Sequence, residues 1–185
     1  MFTNMKLATK LFGSFVVVLT LMVGLGIYSI AQLASVNNST VDIAKNWLPS
    51  VRTALEVRAL INRVRFLEYR LVVDELADTP VTKKELDEKI GALKTAAKSY
   101  EKLITNSEDR QMYDAISTGL TDYLALSDKL QAYALVDKDN EAIAILKGDS
   151  RKAYNTVRDT ADKLAQWNTD GAEKATELAA ATYAS

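Results

Sequence analysis

The chain has 185 residues, of which 48% are hydrophobic and 25% are charged, and its formal net charge is -1. This balance excludes a disordered chain and a polytopic membrane protein, and we expect no nucleic-acid partner because the composition is not strongly basic. The absence of Cys and His removes thiol nucleophiles, Cys or His metal sites and Ser-His-Asp triads. We therefore expect no enzymatic activity, no metal and no cofactor.

The N-terminal part contains one long uncharged run, from Leu11 to Ala31, preceded by two lysines. About 20 apolar residues in a helix that rises about 1.5 Å per residue match a hydrocarbon core about 30 Å thick. The positive-inside tendency then places residues 1–10 in the cytoplasm. We expect residues 11–31 to be a transmembrane helix in the inner membrane, and residues 32–185 to lie in the periplasm.

A cleaved secretory signal is the alternative interpretation of this run. The sequence Ser29-Ile30-Ala31 has the small-x-small pattern of a cleavage site. The apolar core of a signal is usually about 7–15 residues long, however, and this run is longer. With either interpretation the folded part of the chain is exported.

Helical signals continue through the rest of the chain. The sequence has only 2 Pro and 7 Gly, and because turns draw on these residues, long helices are favoured over sheets. Apolar residues recur at three- and four-residue steps between breaks at residues 77–80, 105–109 and 137–140. Pro80 and Asn106 supply helix-start signals at the first two breaks. The predicted helices span about 32–77, 81–105, 108–136 and 139–184.

Short connections make successive helices antiparallel neighbours. The sequence therefore predicts an all-α fold, an up-down-up-down antiparallel four-helix bundle preceded by one transmembrane helix. The first and fourth helices are the longest, and both extend toward the anchor. We expect a second transmembrane helix to follow Ser185.

The first bundle helix carries a seam of residues at three- and four-residue steps, with Arg58, Asn62 and Arg65 in its middle and Tyr69 one turn further on. An unpaired buried guanidinium is very costly, so these arginines need an anionic partner or water. Two arginines seven residues apart lie about 10 Å apart along the helix axis. They are suitably placed to bind a carboxylate ligand through bidentate hydrogen bonds.

A salt bridge within the bundle or across a dimer is the alternative role for these arginines. Glu68 lies three residues from Arg65 and is a candidate partner. Arg52, Arg63 and Arg70 share another face of the helix, and we expect them to be solvated.

Counting residues from the facing ends of the first and fourth helices predicts which residues share a level with Arg65. If residue 77 faces residue 138, Arg65 lies level with Ser150 and Arg151 and close to Tyr154. The same counting brings Tyr123 from the third helix and residues 93–97 from the second. The candidate ligand-binding residues are therefore Arg58, Asn62, Arg65, Tyr69, Tyr123, Arg151 and Tyr154. The alternative is that the tyrosines are core residues whose hydroxyls reach solvent.

The whole organisation resembles the ligand-binding domain of methyl-accepting chemotaxis proteins. The resemblance covers essentially the whole chain and includes Asn46-Trp47-Leu48-Pro49 and the arginine-rich run from Arg58 to Arg70. It implies a homodimer, periplasmic sensing of small molecules such as organic acids or amino acids, and signalling to a histidine kinase. It also implies a site with arginines from the first helix, which supports Arg58, Arg65 and Arg70. The chain has no HAMP segment or cytoplasmic coiled coil, so we expect it to carry the sensing part only.

The predicted function is a chemoreceptor sensor domain that binds a small organic acid and transmits a transmembrane signal for chemotaxis. The sensor domain of a histidine kinase or a cyclase is one alternative. A membrane-anchored structural coiled coil without a ligand is another, and it should not be stabilised by any organic acid.

Overall fold

The computed structural model describes residues 6–73 and 79–184. Every regular element among them is helical, and the six α-helices are α1 Leu7–Asp42, α2 Leu48–Val73, α3 Thr79–Tyr100, α4 Ser107–Ala134, α5 Asp139–Lys147 and α6 Asp149–Ala184. A π-helical turn, Ile43–Trp47, precedes α2, and a 3₁₀ turn, Glu101–Leu103, follows α3. The all-α prediction is confirmed.

The four-helix bundle is the compact unit Ala44–Ala172, and the described residues on either side of it in the sequence form a second unit. Within the described residues, one helical stretch is long and apolar enough to cross a membrane, and it lies near the N-terminus. Its most apolar 18-residue window has a mean hydropathy of 2.2, and none of that window is buried. These properties agree with the predicted span at residues 11–31.

The bundle consists of α2, α3, α4 and the pair α5–α6, with a continuous apolar core between them. Helical periodicity places one apolar stripe of each helix in this core. The largest fully buried apolar residues include Ile61, Val64, Leu67, Leu86, Leu93, Ile116, Leu130, Leu146 and Leu164. The four-helix prediction is therefore confirmed.

Local sequence signals explain where the helices begin. Pro80 lies in the first turn of α3, where its missing N–H costs no intrahelical bond. Residues 77 and 78 of the first predicted break lie outside the described residues. At the second break, the Asn106 side chain accepts hydrogen bonds from the amides of Glu108 and Asp109, both at 3.0 Å. This N-cap satisfies two of the unpaired donors at the start of α4.

The third break is also present, and Asp137 adopts a left-handed φ of 62° in the turn between α4 and α5. The fourth predicted helix, 139–184, is nevertheless divided into α5 and α6 at Gly148. The Gly148 amide donates to Ala144 O at 3.0 Å and to Ile145 O at 3.2 Å, which closes α5. A Cβ at position 148 would lie 2.7 Å from Ala144 O, so this ending requires glycine.

The π-helical turn has a covalent cause in the following proline. Pro49 has no N–H to donate to the carbonyl four residues earlier, and its ring crowds that carbonyl. Regular α-helical spacing cannot continue through this point, and a π-turn absorbs the mismatch.

A buried polar cluster links three helices of the bundle. The Tyr100 hydroxyl donates to Asp109 Oδ1 at 2.7 Å, and Asn168 Nδ2 donates to the Tyr100 oxygen at 2.7 Å. Burial raises the pKa of the Asp109 carboxyl. Since α3, α4 and α6 each supply one member, this cluster fixes their relative level.

The indole of Trp47 packs on the backbone of Gly171 beside a second indole. The ring centroids of Trp47 and Trp167 lie 5.5 Å apart at a tilt of 51°. A Cβ at position 171 would lie 2.1 Å from Trp47 Cζ3. Only glycine allows α6 to approach the ring this closely.

We predict that Gly171→Ala destabilises the bundle by about 1–3 kcal/mol, because the new methyl group would displace the Trp47 ring. This loss should exceed the gain of about 1 kcal/mol that alanine gives in a helix interior. Thermal unfolding of the full chain in detergent micelles, followed by circular dichroism, measures the effect.

The matched control is Gly91→Ala in α3, where a new Cβ meets nothing within 4 Å. This variant should gain the helix-propensity benefit and unfold at a higher temperature than the parent. Equal melting temperatures for the two variants would contradict the close packing of Trp47 on Gly171.

Candidate functional site

The guanidinium of Arg65 is buried at the level of Ser150, as counting along the first and fourth predicted helices indicated. Its side chain is 6% exposed, and Nη1 donates to Ser150 Oγ at 2.8 Å. Nη1 also donates to Glu68 Oε2 at 3.0 Å, and Nη2 donates to Leu146 O at 2.5 Å. The predicted match between Arg65 and Ser150 is confirmed, and the nearest anion to Arg65 belongs to the chain itself.

The carboxylate of Glu68 is completely buried beside Arg65. Its Oε2 also accepts a hydrogen bond from the Tyr123 hydroxyl at 2.8 Å, while Oε1 has no hydrogen-bond partner among the described residues. Burial raises the pKa of Glu68, and contacts with Ser127, Tyr123 and Arg65 oppose that shift without cancelling it. Burial and the Glu68 carboxylate also raise the pKa of Tyr123, so its hydroxyl stays protonated and donates.

Two tyrosine rings contact Arg65 on its solvent side. The guanidinium carbon lies 5.0 Å from the centroid of Tyr69 and 5.3 Å from that of Tyr154. The Tyr154 hydroxyl donates to Asn62 Oδ1 at 2.9 Å. Arg158, one turn further along α6, also lies over the Tyr154 ring, at 5.4 Å from its centroid. Tyr154 therefore contacts one buried and one solvent-facing cation.

The remaining cations on this side form exposed ion pairs. Arg58 Nε lies 2.5 Å from Asp162 Oδ1, with side-chain exposures of 47% and 39%. Arg158 donates to Asp159 Oδ1 from Nε at 2.9 Å and from Nη2 at 2.6 Å. Exposed pairs of this kind contribute only about 0–1 kcal/mol. We call Arg58, Asn62, Tyr69, Tyr154 and Arg158 the α2/α6 face.

The structure brings together most of the predicted site residues. Asn62, Arg65, Tyr69, Tyr123 and Tyr154 form one connected set of contacts, and Arg58 lies two helical turns from Arg65. Arg151 is exposed and makes no contact with this set among the described residues. Whether any of the seven binds a ligand stays a prediction.

The residues of α3 that lie level with Arg65 are not the expected residues 93–97. Arg63 forms an ion pair with Glu85 of α3, so Glu85 lies near the level of Arg65 and residues 93–97 lie about two to three turns away. Arg63 was expected to be solvated, and its side chain is 44% exposed despite the pair.

Sequence reasoning missed Arg158 and identified Glu68 only as an alternative partner. Arg158 follows Tyr154 by four residues, which is the spacing of neighbours on one helix face. That spacing was available as a signal. Glu68 carried no comparable signal, because its burial depends on α4 and α6 covering it.

A separate groove of about 600 Å³ lies between α3 and α4. It contains none of the predicted site residues, and its lining includes Lys94, Lys98, Tyr113, Leu120, Leu124 and Asp128. Residues 6–73 and 79–184 contain no group of three or more His, Cys, Asp or Glu side chains placed to hold a metal ion.

The raised pKa of Glu68 predicts how stability depends on pH. A group of this kind stabilises the fold below its ordinary pKa of 4.5, and the contribution is lost as the pH rises through the raised value. Glu68→Gln should be less stable than the parent, because the amide places a further donor beside Arg65 where the carboxyl group offers an acceptor in either protonation state. Since glutamine does not titrate, the deficit should shrink as the pH is raised above 4.5. Denaturant unfolding of the full chain in detergent micelles across a pH series measures it.

The control is Glu85→Gln, because the ion pair with Arg63 lowers the pKa of Glu85. Its deficit should grow as the pH rises toward 4.5 and stay constant above that value. A Glu68→Gln deficit that does not change above pH 4.5 would contradict the raised pKa.

Comparison with known proteins gives one family and no curated relative. No curated protein matches the chain. Residues 4–183 match the model of a family described as a four-helix-bundle sensory module for signal transduction. The match covers nearly the whole chain and agrees with the observed bundle. The chain therefore belongs to the family of four-helix-bundle sensory modules for signal transduction.

Proposed function

We propose that the chain is the periplasmic sensor portion of a chemoreceptor, anchored in the inner membrane, that binds a small carboxylate and transmits a signal for chemotaxis. Membership of a sensory family supports the signalling role. The apolar helix near the N-terminus supports the anchor. The α2/α6 face supports the ligand class, and it is the observation that carries the proposal.

The α2/α6 face offers cations whose present partners are easily exchanged. Arg158 pairs with exposed Asp159, and a pair of this kind is worth about 0–1 kcal/mol, so an incoming carboxylate can replace Asp159. Arg58 is itself 47% exposed and pairs with the half-buried Asp162, so its guanidinium can also turn toward a ligand. Asn62 uses its oxygen for Tyr154, and within residues 6–73 and 79–184 nothing accepts from its Nδ2. The rings of Tyr69 and Tyr154 add partly exposed aromatic surface for the body of an organic acid.

Arg65 has a different role in this proposal. Its donors already bind Glu68, Ser150 and Leu146 in a buried setting, where breaking one contact leaves a costly unsatisfied group. We therefore place Arg58 and Arg158 in contact with the ligand, and Arg65 in the layer beneath.

A homodimer is part of the proposal, and an exposed apolar stripe on α2 supports it. Phe66 is 51% exposed and Val73 is 75% exposed, although both lie on a helix of the bundle. The stripe repeats at alternating three- and four-residue steps and comprises Leu55, Ala59, Asn62, Phe66, Tyr69 and Val73. This spacing is that of a coiled-coil seam, which a second copy of the chain would cover. Asn62 and Tyr69 belong to both the stripe and the α2/α6 face, so the proposed ligand site borders the proposed dimer interface.

We expect a small carboxylate to raise the melting temperature of the full chain in detergent micelles. A screen would cover di- and tricarboxylates, aromatic acids and amino acids. At 100-fold excess over the dissociation constant, a ligand stabilises the fold by about 2.7 kcal/mol. The shift should disappear in Arg58→Gln and Arg158→Gln, because both variants remove a cation from the α2/α6 face.

Two exposed cations serve as controls for this screen. Arg52→Gln in α2 and Lys98→Gln in the α3/α4 groove should both keep the full shift. A shift that is lost only in Lys98→Gln would place the ligand in the groove instead. If no acid shifts the melting temperature, the anchored structural coil becomes the better description.

The dimer is tested with single cysteines, since the chain has none of its own. We expect Ala59→Cys, on the α2 stripe, to form a disulfide-linked dimer of the full chain under mild oxidation. Electrophoresis without reductant shows the product. Ala115→Cys, at an exposed alanine of α4, is the matched control and should stay monomeric. Equal cross-linking at both positions would indicate random collision and contradict an interface on α2.

A further inference from the structure

The fourth helix of the bundle has a gap in its backbone hydrogen bonds. Among the described residues, the bonds that cross the junction of α5 and α6 run from Gly148 N to α5 and from Lys152 N to Gly148 O, the latter at 3.4 Å. The amides of residues 149–151 donate to no carbonyl of α5. In an uninterrupted helix, Ser150 N would donate to Leu146 O. The junction therefore has no regular ladder to fix its angle.

The guanidinium of Arg65 occupies this gap. Nη2 donates to Leu146 O in the last turn of α5, and Nη1 donates to Ser150 Oγ in the first turn of α6. Leu146 is 1% exposed and Ser150 is fully buried, so water cannot replace these contacts. A cation at the C-terminal end of α5 is also favoured by the helix dipole. One side chain of α2 thus holds both sides of the break.

Glu68 keeps Arg65 in this position. Its Oε2 accepts from Arg65 at 3.0 Å and from the Tyr123 hydroxyl of α4 at 2.8 Å. The pair is charge-neutral and is tied to α4 at one end and to the α5–α6 junction at the other.

We propose that Arg65 and Glu68 form a latch that fixes the angle between α5 and α6 at the Gly148 break. Arg65 is a positioning residue in this proposal, since it acts on the junction and not on a ligand. When the latch is closed, α5 and α6 move as one helix. When the guanidinium leaves Leu146 and Ser150, the angle at Gly148 is free to change.

The regulation of this latch rests on the proposed function. Tyr69 and Tyr154 belong to the α2/α6 face and also contact the Arg65 guanidinium, at 5.0 Å and 5.3 Å from their centroids. A carboxylate bound on that face adds negative charge beside Arg65 and competes with Glu68 for it. The ligand then favours the state in which the latch is open, and a population shift follows.

The latch is tested by measuring the spread of angles at the junction. Glu141→Cys and Thr156→Cys place spin labels on exposed positions of α5 and α6 in a chain without other cysteines. Electron–electron double resonance on the full chain in detergent micelles gives the distribution of distances between the labels. The latch is removed by Arg65→Met with Glu68→Gln, which deletes both charges together and leaves an oxygen to accept from Tyr123. We expect the width of the distribution to roughly double, because the junction loses its cross-link.

The control is Arg63→Met with Glu85→Gln, which removes an exposed ion pair between α2 and α3. This variant should leave the distance distribution unchanged. Circular dichroism establishes whether each variant is folded. An unchanged width in folded Arg65→Met/Glu68→Gln would overturn the latch.

Ser150→Ala provides the answer if the double variant does not fold. It removes one contact of Arg65 and keeps the buried charge pair, so a broader distribution supports the latch and an unchanged one overturns it.

Adding an acid that raised the melting temperature should shift the distribution of the parent chain and leave that of the latch variant unchanged. If the latch variants broaden the distribution and no acid acts, the latch stands and the proposed carboxylate sensor fails.

Discussion

The buried ion pair between Arg65 and Glu68 is the interaction that holds α2, α4 and the α5–α6 junction together. Removing two charges from water costs several kcal/mol per ion, and the cost is recovered only when the remaining donors and acceptors find partners. Arg65 finds them in α5 and α6, and Glu68 finds one in α4. The pair, which belongs entirely to α2, therefore sets the level at which the other helices meet it.

The same pair decides which cations face solvent. Because Glu68 binds the Arg65 guanidinium inside the bundle, the guanidinium groups of the α2/α6 face that reach solvent are those of Arg58 and Arg158. The exposed pair of Arg158 with Asp159 contributes little energy, which makes that aspartate exchangeable, and Asp162 beside Arg58 is half-buried. The Tyr154 ring contacts both the buried Arg65 and the more exposed Arg158, whereas Tyr69 contacts Arg65.

The two ends of the bundle are held by different means. At the end where α3 and α4 meet, Tyr100, Asp109 and Asn168 form a closed set of hydrogen bonds, and Trp47 packs directly on Gly171. At the level of Arg65, the fourth helix is interrupted at Gly148, and side chains replace the missing backbone bonds. The α5–α6 junction is therefore the place in the fourth helix where side-chain contacts, and not a backbone ladder, set the geometry.

The sequence by itself determined the features that depend on neighbours along the chain. Periodicity, N-caps and scarce Pro and Gly were enough for the all-α fold, the four bundle segments, the apolar N-terminal helix and the level shared by Arg65 and Ser150, because each follows from local geometry. The tertiary structure decided the partner of Arg65, the burial of Glu68, the break at Gly148 and the place of Arg158 on the α2/α6 face. The sequence pattern around Arg65 is the same whether its anionic partner is a ligand or a glutamate one turn away. Only the packing of the folded bundle, including α4, around Glu68 removes water from it, and that desolvation makes the internal pair the one that forms.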